Sequence, residues 1–419
     1  MRDFLPAEKA RRERILAAIR DVYRTHGFDE IETPVAEDSD RLFAGLGGDN
    51  EKLAYSLLKR GLTRDDLQAA QEPLDLSDLG LRFDLTVPLA RFYATHRAEL
   101  PTVFRSIQIA PVWRAERPQK GRYRQFVQCD IDVLGEPGPR AEAELLVATL
   151  DALDALGLED GFIRVNDRRL LTGMLATLGF AAHEYDGALI TIDKLDKIAQ
   201  DGVLAELRKR GYTAAAVDAL EALFRRPTVL PFGEAAIRRA LPENPDADAL
   251  AGLVAIGEAV AAARASDTEV LRFDPFLVRG MGYYTGPIFE LAHPSVEYSL
   301  GGGGRYDGMI GRFLGTDVPA TGFSLGFERL VELVDLPVGE GSEAIALLHD
   351  ADVDLAQLLT LKAELIATGA RVRLVARPKN VKPTLDALAA EGFTSFAFVD
   401  ASTTLASLSL RSLTESASS

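Results

Sequence analysis

Apolar residues recur at helical and strand spacings in the first third of the chain. From about Glu8 to Tyr23 they recur at helical spacing, which predicts an amphipathic helix, and Gly27 supplies its end. β-Branched and aromatic residues predict strands of a mixed or antiparallel sheet over residues 30–35, 81–94 and 103–134. Five leucines at helical spacing predict a second long helix over residues 142–156.

The same pattern predicts three regions in the rest of the chain: a helical insertion, a second group of strands and a separate C-terminal domain. Short helices broken by Gly and Pro predict a helical insertion at about residues 168–264, and residues 272–332 return to strands, glycines and a final helix. After a linker at residues 336–343, the order strand-helix-strand-helix-strand predicts a small α/β domain with a parallel sheet. The predicted organisation is therefore a core over residues 1–335 and a C-terminal domain over residues 344–419.

Composition narrows the class of protein. The chain has 419 residues, with 47% hydrophobic and 26% charged residues, as expected for a folded soluble protein of two or three domains. No apolar stretch is long enough to span a membrane, and the first residues do not form a secretory signal. A single cysteine, Cys129, excludes an internal disulfide and indicates a cytoplasmic protein. The five histidines and this cysteine lack zinc-ligand spacing, so we expect no metal site built from them.

Charge gives two opposing indications about nucleic acid. The formal net charge of −16 argues mildly against a polyanionic partner. Residues 114–124 nevertheless contain five Arg or Lys in eleven positions, and a second basic cluster lies near the C-terminus. That second cluster consists of Arg371, Arg373, Arg377, Lys379 and Lys382. Each cluster is either a solvated surface or a phosphate-binding face.

The first basic cluster lies in a predicted hairpin. Pro118 and Gly121 suit a turn between two strands, and Arg114 and Glu116, two residues apart on the first strand, would project from the same face. Such a pair is often a surface cross-strand pair. The alternative is that the Arg fork holds a phosphate while the Glu accepts a hydrogen bond from a nucleobase amino group.

The hairpin sequence also carries a family resemblance. Residues 113–135 read WRAERPQKGRYRQFVQCDIDVLG, which resembles motif 2 of class II aminoacyl-tRNA synthetases in the form found in histidyl-tRNA synthetases. Residues 27–34, 277–284 and 322–329 resemble motif 1, the histidine-specific segment and motif 3, in the family's order. The resemblance implies an α/β fold class with an α+β catalytic core, in which helices flank an antiparallel sheet. It also implies a small C-terminal α/β domain of the anticodon-binding type.

The resemblance implies a reaction and the residues that perform it. The family activates L-histidine with ATP to histidyl-adenylate and transfers it to the 3′ end of histidine tRNA, releasing AMP and pyrophosphate. Alignment and positive charge suffice for such phosphoryl chemistry. By resemblance, Arg114 and Arg279 are catalytic. The implied ATP-binding residues are Arg114, Glu116, Arg122 and Arg329.

The histidine and tRNA sites follow from the same resemblance. Asp84, Thr86 and Gln128 match the family's binders of the α-amino group, and Asp132 and Tyr284 match those of the ring nitrogens. The implied histidine-binding residues are Asp84, Thr86, Gln128, Asp132, Arg279, Tyr283, Tyr284, Gly303 and Gly304. One of the two tyrosines is expected to be a packing residue instead. The residues expected at the tRNA acceptor end are Arg117, Gln119 and Arg124.

The resemblance further implies Mg²⁺ with ATP and a homodimer formed through motif 1, whereas the lack of a long apolar stretch predicts no membrane partner. Gly282 departs from the family, which usually has Asp before the tyrosine pair. A non-catalytic relative, the regulatory subunit of ATP phosphoribosyltransferase, shares the fold and the histidine pocket and is the alternative function. The presence of Arg114, Arg279 and Arg329, of a complete hairpin loop and of the C-terminal domain favours the enzyme.

Overall fold

The computed structural model describes residues 1–43, 53–117, 123–226, 230–264, 269–279, 284–336 and 343–413. It divides into two compact units. The first consists of Met1–Arg2 with Ile15–Val334, and the second of Asp3–Arg14 with Asp335–Ser419. Within the described residues, no helix is both long and apolar enough to cross a lipid bilayer.

A nine-stranded mixed sheet forms the centre of the first unit, in the order β1-β5-β6-β12-β11-β10-β7-β9-β8. The strands β5-β6-β12-β11-β10-β7 run antiparallel to their neighbours, whereas β1–β5 and β7–β9 are parallel pairs. A second sheet has the order β2-β4-β3. The strands are β1 Asp29–Glu30, β2 Ala36–Asp38, β3 Tyr55–Leu58, β4 Ser77–Leu81, β5 Phe104–Trp113, β6 Gln125–Leu134, β7 Phe162–Asp167, β8 Leu230–Pro231, β9 Leu271–Phe273, β10 Pro287–Ala292, β11 Gly301–Arg305 and β12 Ala320–Gly326.

The helices agree with the two predicted long helices, and the described part of residues 168–264 contains six more, of 7 to 17 residues each. They are α1 Pro6–Thr25, α2 Ser39–Phe43, α3 Arg64–Ala69, α4 Thr86–His96, α5 Pro139–Ala155, α6 Arg168–Thr177, α7 Tyr185–Ile192, α8 Leu195–Lys209, α9 Ala214–Phe224, α10 Glu234–Ala240, α11 Ala247–Ala263, α12 Asp307–Leu314 and α13 Phe327–Leu333. Helices α6 to α9 share an apolar core with the buried residues Phe276, Leu277 and Val278. This core therefore anchors the segment that leads to Arg279.

The second unit contains the predicted order of strands and helices. Its elements are β13 Ala344–His349, α14 Leu355–Ala367, β14 Arg371–Ala376, α15 Lys382–Ala390, β15 Ser395–Val399 and β16 Arg411–Ser412. Strand β13 pairs in parallel with β14 and β15, as predicted. The short antiparallel edge strand β16 was not predicted.

The predicted strand over residues 81–94 is wrong. Only Leu81 belongs to a strand, and Thr86 begins helix α4, so Asp84 and Thr86 do not lie two apart on a strand. The Asp84 carboxylate accepts the Val87 N–H at 3.2 Å, and Pro88, which lacks an N–H, lies in the first turn where none is needed. Both features are typical of the start of a helix, and they outweigh the preference of the β-branched residues for a strand.

Two other strand predictions extend too far. In the segment 30–35, strand β1 ends at Glu30, and β2 begins only at Ala36, after Pro34. Strand β5 ends at Trp113, so Arg114 and Glu116 lie beyond the strand and not on it. The hairpin itself is confirmed, because β5 and β6 pair over ten residues each, from Phe104 opposite Leu134 to Trp113 opposite Gln125.

Candidate active site

The strand register brings polar residues and glycines onto one face of the large sheet. Residues that lie opposite each other in an antiparallel pair project from the same face. One row across β6, β12, β11, β10 and β7 consists of Asp130, Ser324, Gly302, Glu290 and Arg164. The neighbouring row includes Asp132, Gly322 and Gly304, and Gln128 lies opposite Gly326. This face therefore has carboxylates on β6, glycines at its centre and an ion pair on the far side.

Gly302, Gly304 and Gly322 form what we call the glycine floor, because side chains from the surroundings lie directly over them. A Cβ atom on Gly302 would lie 2.5 Å from Cζ of Arg279, and one on Gly322 would lie 1.9 Å from a carboxylate oxygen of Asp132. A Cβ on Gly304 would lie 3.0 Å from the Tyr284 ring. Only glycine leaves room for these groups.

A pocket lies on this face. Its lining residues are Thr86, Asp130, Asp132, Tyr284, Gly302, Gly303, Tyr306, Gly322, Phe323 and Ser324. Helix α4 contributes through its first turn, which Gln108 of β5 holds by donating its side-chain N–H to the Leu85 carbonyl at 2.9 Å. Asp84 thereby stands close enough for its charge to raise the pKa of Asp132.

Two buried carboxylates, Asp130 and Asp132, line the pocket, and the partly buried Asp84 lies beside them. Burial raises the pKa of Asp84 to about 6, although its backbone hydrogen bonds and the Arg114 charge oppose the shift. Burial also raises the pKa of Asp132 to about 7, against a 2.5 Å hydrogen bond from the Tyr306 hydroxyl. Burial and the neighbouring Asp132 raise the pKa of Asp130 well above its usual range. Because burial makes the ionised form of these carboxyl groups unfavourable, the site favours a cationic ligand that donates several hydrogen bonds to them.

Gln128 has a free acceptor beside these carboxylates. Its side-chain N–H group donates to Ser324 Oγ at 3.0 Å and to the Asp130 carboxylate at 3.3 Å. Its buried Oε1 has no hydrogen-bond partner among the described residues. A buried acceptor without a partner is costly, so this atom is suited to an N–H donor of a ligand.

Tyr284 is neutral in this pocket. Burial, together with the nearby carboxylates, raises the pKa of its hydroxyl to about 12, although Arg279 opposes the shift. The hydroxyl can therefore donate and accept hydrogen bonds at neutral pH. Tyr283 lies outside the described residues, as do Arg122 and Gln119.

Three arginines stand around the pocket. Arg279 donates through Nη1 to Glu290 Oε2 at 2.6 Å and to Ser299 Oγ at 3.4 Å. Arg329 donates to the Ser299 carbonyl oxygen, so a single residue contacts both arginines. Arg114, just beyond β5, donates through Nε to the Phe83 carbonyl at 2.9 Å, and its guanidinium lies 4.9 Å from the centre of the Phe126 ring.

The remaining predicted residues lie away from the lining or contribute backbone only. Arg117, Glu116 and Arg124 are exposed beyond the hairpin strands, where Arg124 Nε donates to the Glu116 carbonyl at 3.2 Å. Gly303 is in register with Phe289 and Phe323, and positions in this row face the side of the sheet opposite to the glycine floor. Gly303 therefore contributes only main-chain atoms to the pocket. Cys129 is fully buried in strand β6.

Sequence reasoning missed several lining residues. Asp130 could have been found, because it lies two residues from Gln128 and two from Asp132 and so shares their face on a strand. The missed residues are Asp130, Gly302, Tyr306, Gly322, Phe323 and Ser324. Tyr306 directly follows the glycine-arginine run, but no local pattern indicates that its hydroxyl reaches Asp132.

Comparison with known proteins identifies the family. The family model described as histidyl-tRNA synthetase matches residues 1–330. The chain belongs to the histidyl-tRNA synthetase family. It is 60% identical to the histidine–tRNA ligase of Leifsonia xyli subsp. xyli over 423 aligned residues, covering 99% of this chain and 97% of that protein. It is 40% identical to the histidine–tRNA ligase of Aeropyrum pernix over 346 residues, covering 79% of this chain and 72% of that protein.

Solved structures with the same fold include the histidyl-tRNA synthetase of Nostoc sp. PCC 7120. That structure has a TM-score of 0.77 and 25% identity, covering 99% of this chain and 94% of the other. A Bacillus halodurans protein, titled an ATP phosphoribosyltransferase regulatory subunit/histidyl-tRNA synthetase, has a TM-score of 0.75 at 21% identity, covering 96% and 97%. At that identity the similarity shows the fold alone.

Proposed function

We propose that this family member activates L-histidine with ATP and transfers the histidyl group to the 3′ end of histidine tRNA. The observation that carries the proposal is the composition of one sheet face. Buried carboxylates and the free acceptor of Gln128 lie on one side of the glycine floor, and Arg279 lies over Gly302 on the other. The face thus offers sites of opposite charge for a zwitterionic amino acid and a polyphosphate.

In this proposal, Asp84, Thr86 and Gln128 bind the α-ammonium group. Gln128 Oε1 accepts one of its hydrogen bonds, which satisfies the buried atom left without a partner. Asp132 and Tyr284 bind the two ring nitrogens. An apolar amino acid of similar size would leave these buried polar groups unpaired, so the pocket rejects it.

The arginines would act on the phosphates. The histidine carboxylate attacks the α-phosphate of ATP and pyrophosphate leaves, so no protein nucleophile is required. We assign Arg114 and Arg279 to the α-phosphate and Arg329 to the γ-phosphate end, with Glu116 at the adenine and Arg122 at the outer phosphates. Preorganised cations stabilise the charge that spreads over the phosphoryl oxygens in the transition state.

We treat Mg²⁺ as part of the substrate, MgATP. Within the described residues there is no group of three or more His, Cys, Asp or Glu side chains placed to hold a metal ion. The pyrophosphate oxygens of ATP would supply the hard ligands that Mg²⁺ prefers.

The tRNA would contact two regions. We assign Arg117, Gln119 and Arg124 of the hairpin loop to the acceptor end and the second unit to the anticodon. We also propose that the protein is a homodimer through residues 27–34 and acts in the cytoplasm, both by analogy with the family.

Measurements of ATP–pyrophosphate exchange distinguish the proposed enzyme from the regulatory-subunit alternative. Arg279→Ala should abolish histidine-dependent ATP–pyrophosphate exchange because it removes a cation from the transition state, while histidine affinity, measured by calorimetry, should change little. The matched control is Arg105→Ala, since the two side chains are 28% and 29% exposed and each is paired with a glutamate. A folded wild-type protein without exchange would support the regulator and reject the enzyme.

A further inference from the structure

Glu290 is the direct neighbour of the proposed catalytic arginine. It lies on β10, opposite Arg164 of β7 on one side and opposite Gly302 of β11 on the other. Its Oε2 accepts from Arg279 Nη1 at 2.6 Å, and its Oε1 accepts from Arg164 Nη1 at 2.7 Å. One carboxylate therefore joins two arginines, with one oxygen committed to each.

The contacts of Arg279 hold one end of its guanidinium and leave the other end unused. Nη1 makes both hydrogen bonds of this group, to Glu290 and to Ser299. Nη2 lies directly over Gly302, within 2.7 Å of where a Cβ would stand, and makes no hydrogen bond among the described residues. A guanidinium fixed at one nitrogen keeps its other donors in a defined direction, which suits an anionic ligand.

Glu290 is itself held in place by a second ion pair. Arg164 donates through Nε to Asp274 at 2.7 Å, and the side chain of Asp274 is only 1% exposed. The charges therefore alternate along Asp274, Arg164, Glu290 and Arg279. Each of these four charges has an oppositely charged partner, which lowers the cost of burying them together, and Arg164 also pairs with the exposed Asp196 at 3.3 Å.

This chain of ion pairs begins and ends in the same short segment. Asp274 and Arg279 are five residues apart, and the residues between them include Phe276, Leu277 and Val278, which are buried against the insertion helices. Asp274 also accepts the Phe276 N–H at 2.9 Å. The segment is thus fixed by apolar packing at its middle and by ion pairs to the sheet at both ends.

We propose that Glu290 is a positioning residue for adenylate formation, which fixes the Arg279 guanidinium over Gly302 before the substrates bind. The proposal rests on the proposed role of Arg279. A cation that is already oriented needs no rearrangement in the transition state, whereas a loose arginine must be ordered at that moment. Glu290 also offsets repulsion between Arg279 and Arg329, which both contact Ser299.

The test is Glu290→Gln, which keeps the shape and one hydrogen-bond acceptor but removes the charge. We expect kcat for histidine-dependent ATP–pyrophosphate exchange to fall roughly 10- to 100-fold, while KM for histidine and histidine affinity stay within about twofold. The control is Glu144→Gln, because Glu144 of helix α5 also accepts hydrogen bonds through both of its carboxylate oxygens, in this case from Arg105 of strand β5. Glu144→Gln should leave both constants unchanged.

A second variant keeps the test decisive if Glu290→Gln unfolds. Glu290→Asp retains the charge but is one methylene shorter, so it cannot reach both arginines as in the structure. It should lower kcat while leaving histidine affinity intact. A rise in KM for histidine with unchanged kcat in either folded variant would overturn the proposal, because it would indicate a role in substrate binding.

Combination with Arg279→Ala separates this proposal from the proposed function. If Glu290 acts through Arg279, adding Glu290→Gln should change the residual exchange of Arg279→Ala less than about twofold. A large further loss would refute the positioning role. Wild-type protein without exchange would instead refute the enzyme, and full exchange by Arg279→Ala would refute the role of the arginine on which Glu290 depends.

Discussion

The three pocket carboxylates differ from ordinary surface acids because burial makes their ionised form unfavourable. Asp84, Asp130 and Asp132 all have raised pKa values, with burial as the largest cause. Without a bound cation, part of this cluster holds protons at neutral pH. A ligand ammonium would replace those protons, so the same burial that destabilises the empty pocket strengthens its preference for a cation.

Asp132 gives a pH-dependent prediction with a definite sign. Its pKa is raised by burial to about 7 in the folded protein, from about 3.8 for an exposed aspartate such as that of the unfolded chain. A raised folded-state pKa means that its contribution to stability is complete below the unfolded value and is lost as pH rises through the folded value. Asp132→Asn cannot ionise, so it should gain stability relative to wild type between about pH 4 and pH 7, by at most about 1.4 kcal/mol per pH unit.

Urea unfolding of both proteins without histidine, at several pH values, measures this difference. Glu144→Gln serves as the control because its carboxylate is paired near the surface. A constant difference between Asp132→Asn and wild type over this range would contradict the raised pKa of Asp132.

At the scale of elements, buried ion pairs hold strands and helices around the pocket. Arg305 at the end of β11 donates to Glu142 of α5 through Nε at 2.6 Å and through Nη2 at 2.9 Å. Glu142 is fully buried, whereas Glu144, two residues along the same helix, is partly exposed and pairs with Arg105. The two glutamates therefore differ mainly in burial.

This difference predicts unequal costs for the same substitution. Glu142→Ala should lower the free energy of unfolding by about 3 to 5 kcal/mol, because it leaves Arg305 buried without its main partner. Glu144→Ala should lower it by about 1 kcal/mol or less, as for other exposed pairs. Chemical denaturation measures both, and equal losses would show that the Arg305 pair is not specially important.

Elements in which apolar residues recur at a clear helical or strand spacing could be predicted from the sequence. Helix α4 and strand β11, which lack such a spacing, could not. Helix α5, the β5–β6 hairpin and the C-terminal alternation follow from local pattern alone. The sequence predicts a strand where helix α4 lies, because the β-branched residues outweigh two helix-start signals, the Asp84 carboxylate that accepts the Val87 N–H and the proline in the first turn. Strand β11 consists of four glycines and an arginine, so no side-chain alternation could indicate its place in the sheet.

The site residues that could be predicted belong to sequence motifs. The residues that were missed come to the site through the pairing register of distant strands. Gln128 and Asp132 belong to a stretch with a family resemblance, whereas Glu290 matched no motif. Glu290 reaches Arg279 only because β10 pairs with both β7 and β11. Such a meeting of distant strands cannot be read from a single sequence.

At the scale of the whole molecule, a chain of net charge −16 carries a local basic cluster over residues 371–382 of its second unit. The arginines of this cluster lie against aromatic rings. The guanidinium carbons of Arg371 and Arg373 lie 4.5 and 4.6 Å from the centre of the Phe393 ring, and that of Arg377 lies 4.2 Å from the centre of the Phe398 ring. Stacked guanidinium groups are partly ordered before they meet a phosphate or a base. The cluster can thus attract RNA in spite of the overall charge.

This arrangement predicts that tRNA affinity and amino-acid activation can be separated. The double variant Arg377→Ala with Lys379→Ala should weaken tRNA binding and reduce the salt slope of log Kd by about 1 for each phosphate that is no longer neutralised. ATP–pyrophosphate exchange without tRNA should be unchanged, because the pocket lies in the first unit. Lys362→Ala on α14 of the same unit controls for the removal of positive charge, and equal weakening by Lys362→Ala would argue against a specific tRNA surface.

The glycine floor has a consequence for how this family member could change its amino-acid preference. The central part of the pocket base presents main-chain atoms, which substitution cannot trim, and an added methyl group at Gly322 collides with Asp132. Mutational routes to a new substrate must therefore alter the surrounding wall residues, among them Asp84, Asp132 and Tyr284. Because these groups interact electrostatically, replacing one of them alters the pKa values of the others. A switch of specificity would thus need concerted replacements, which makes histidine selectivity resistant to single mutations.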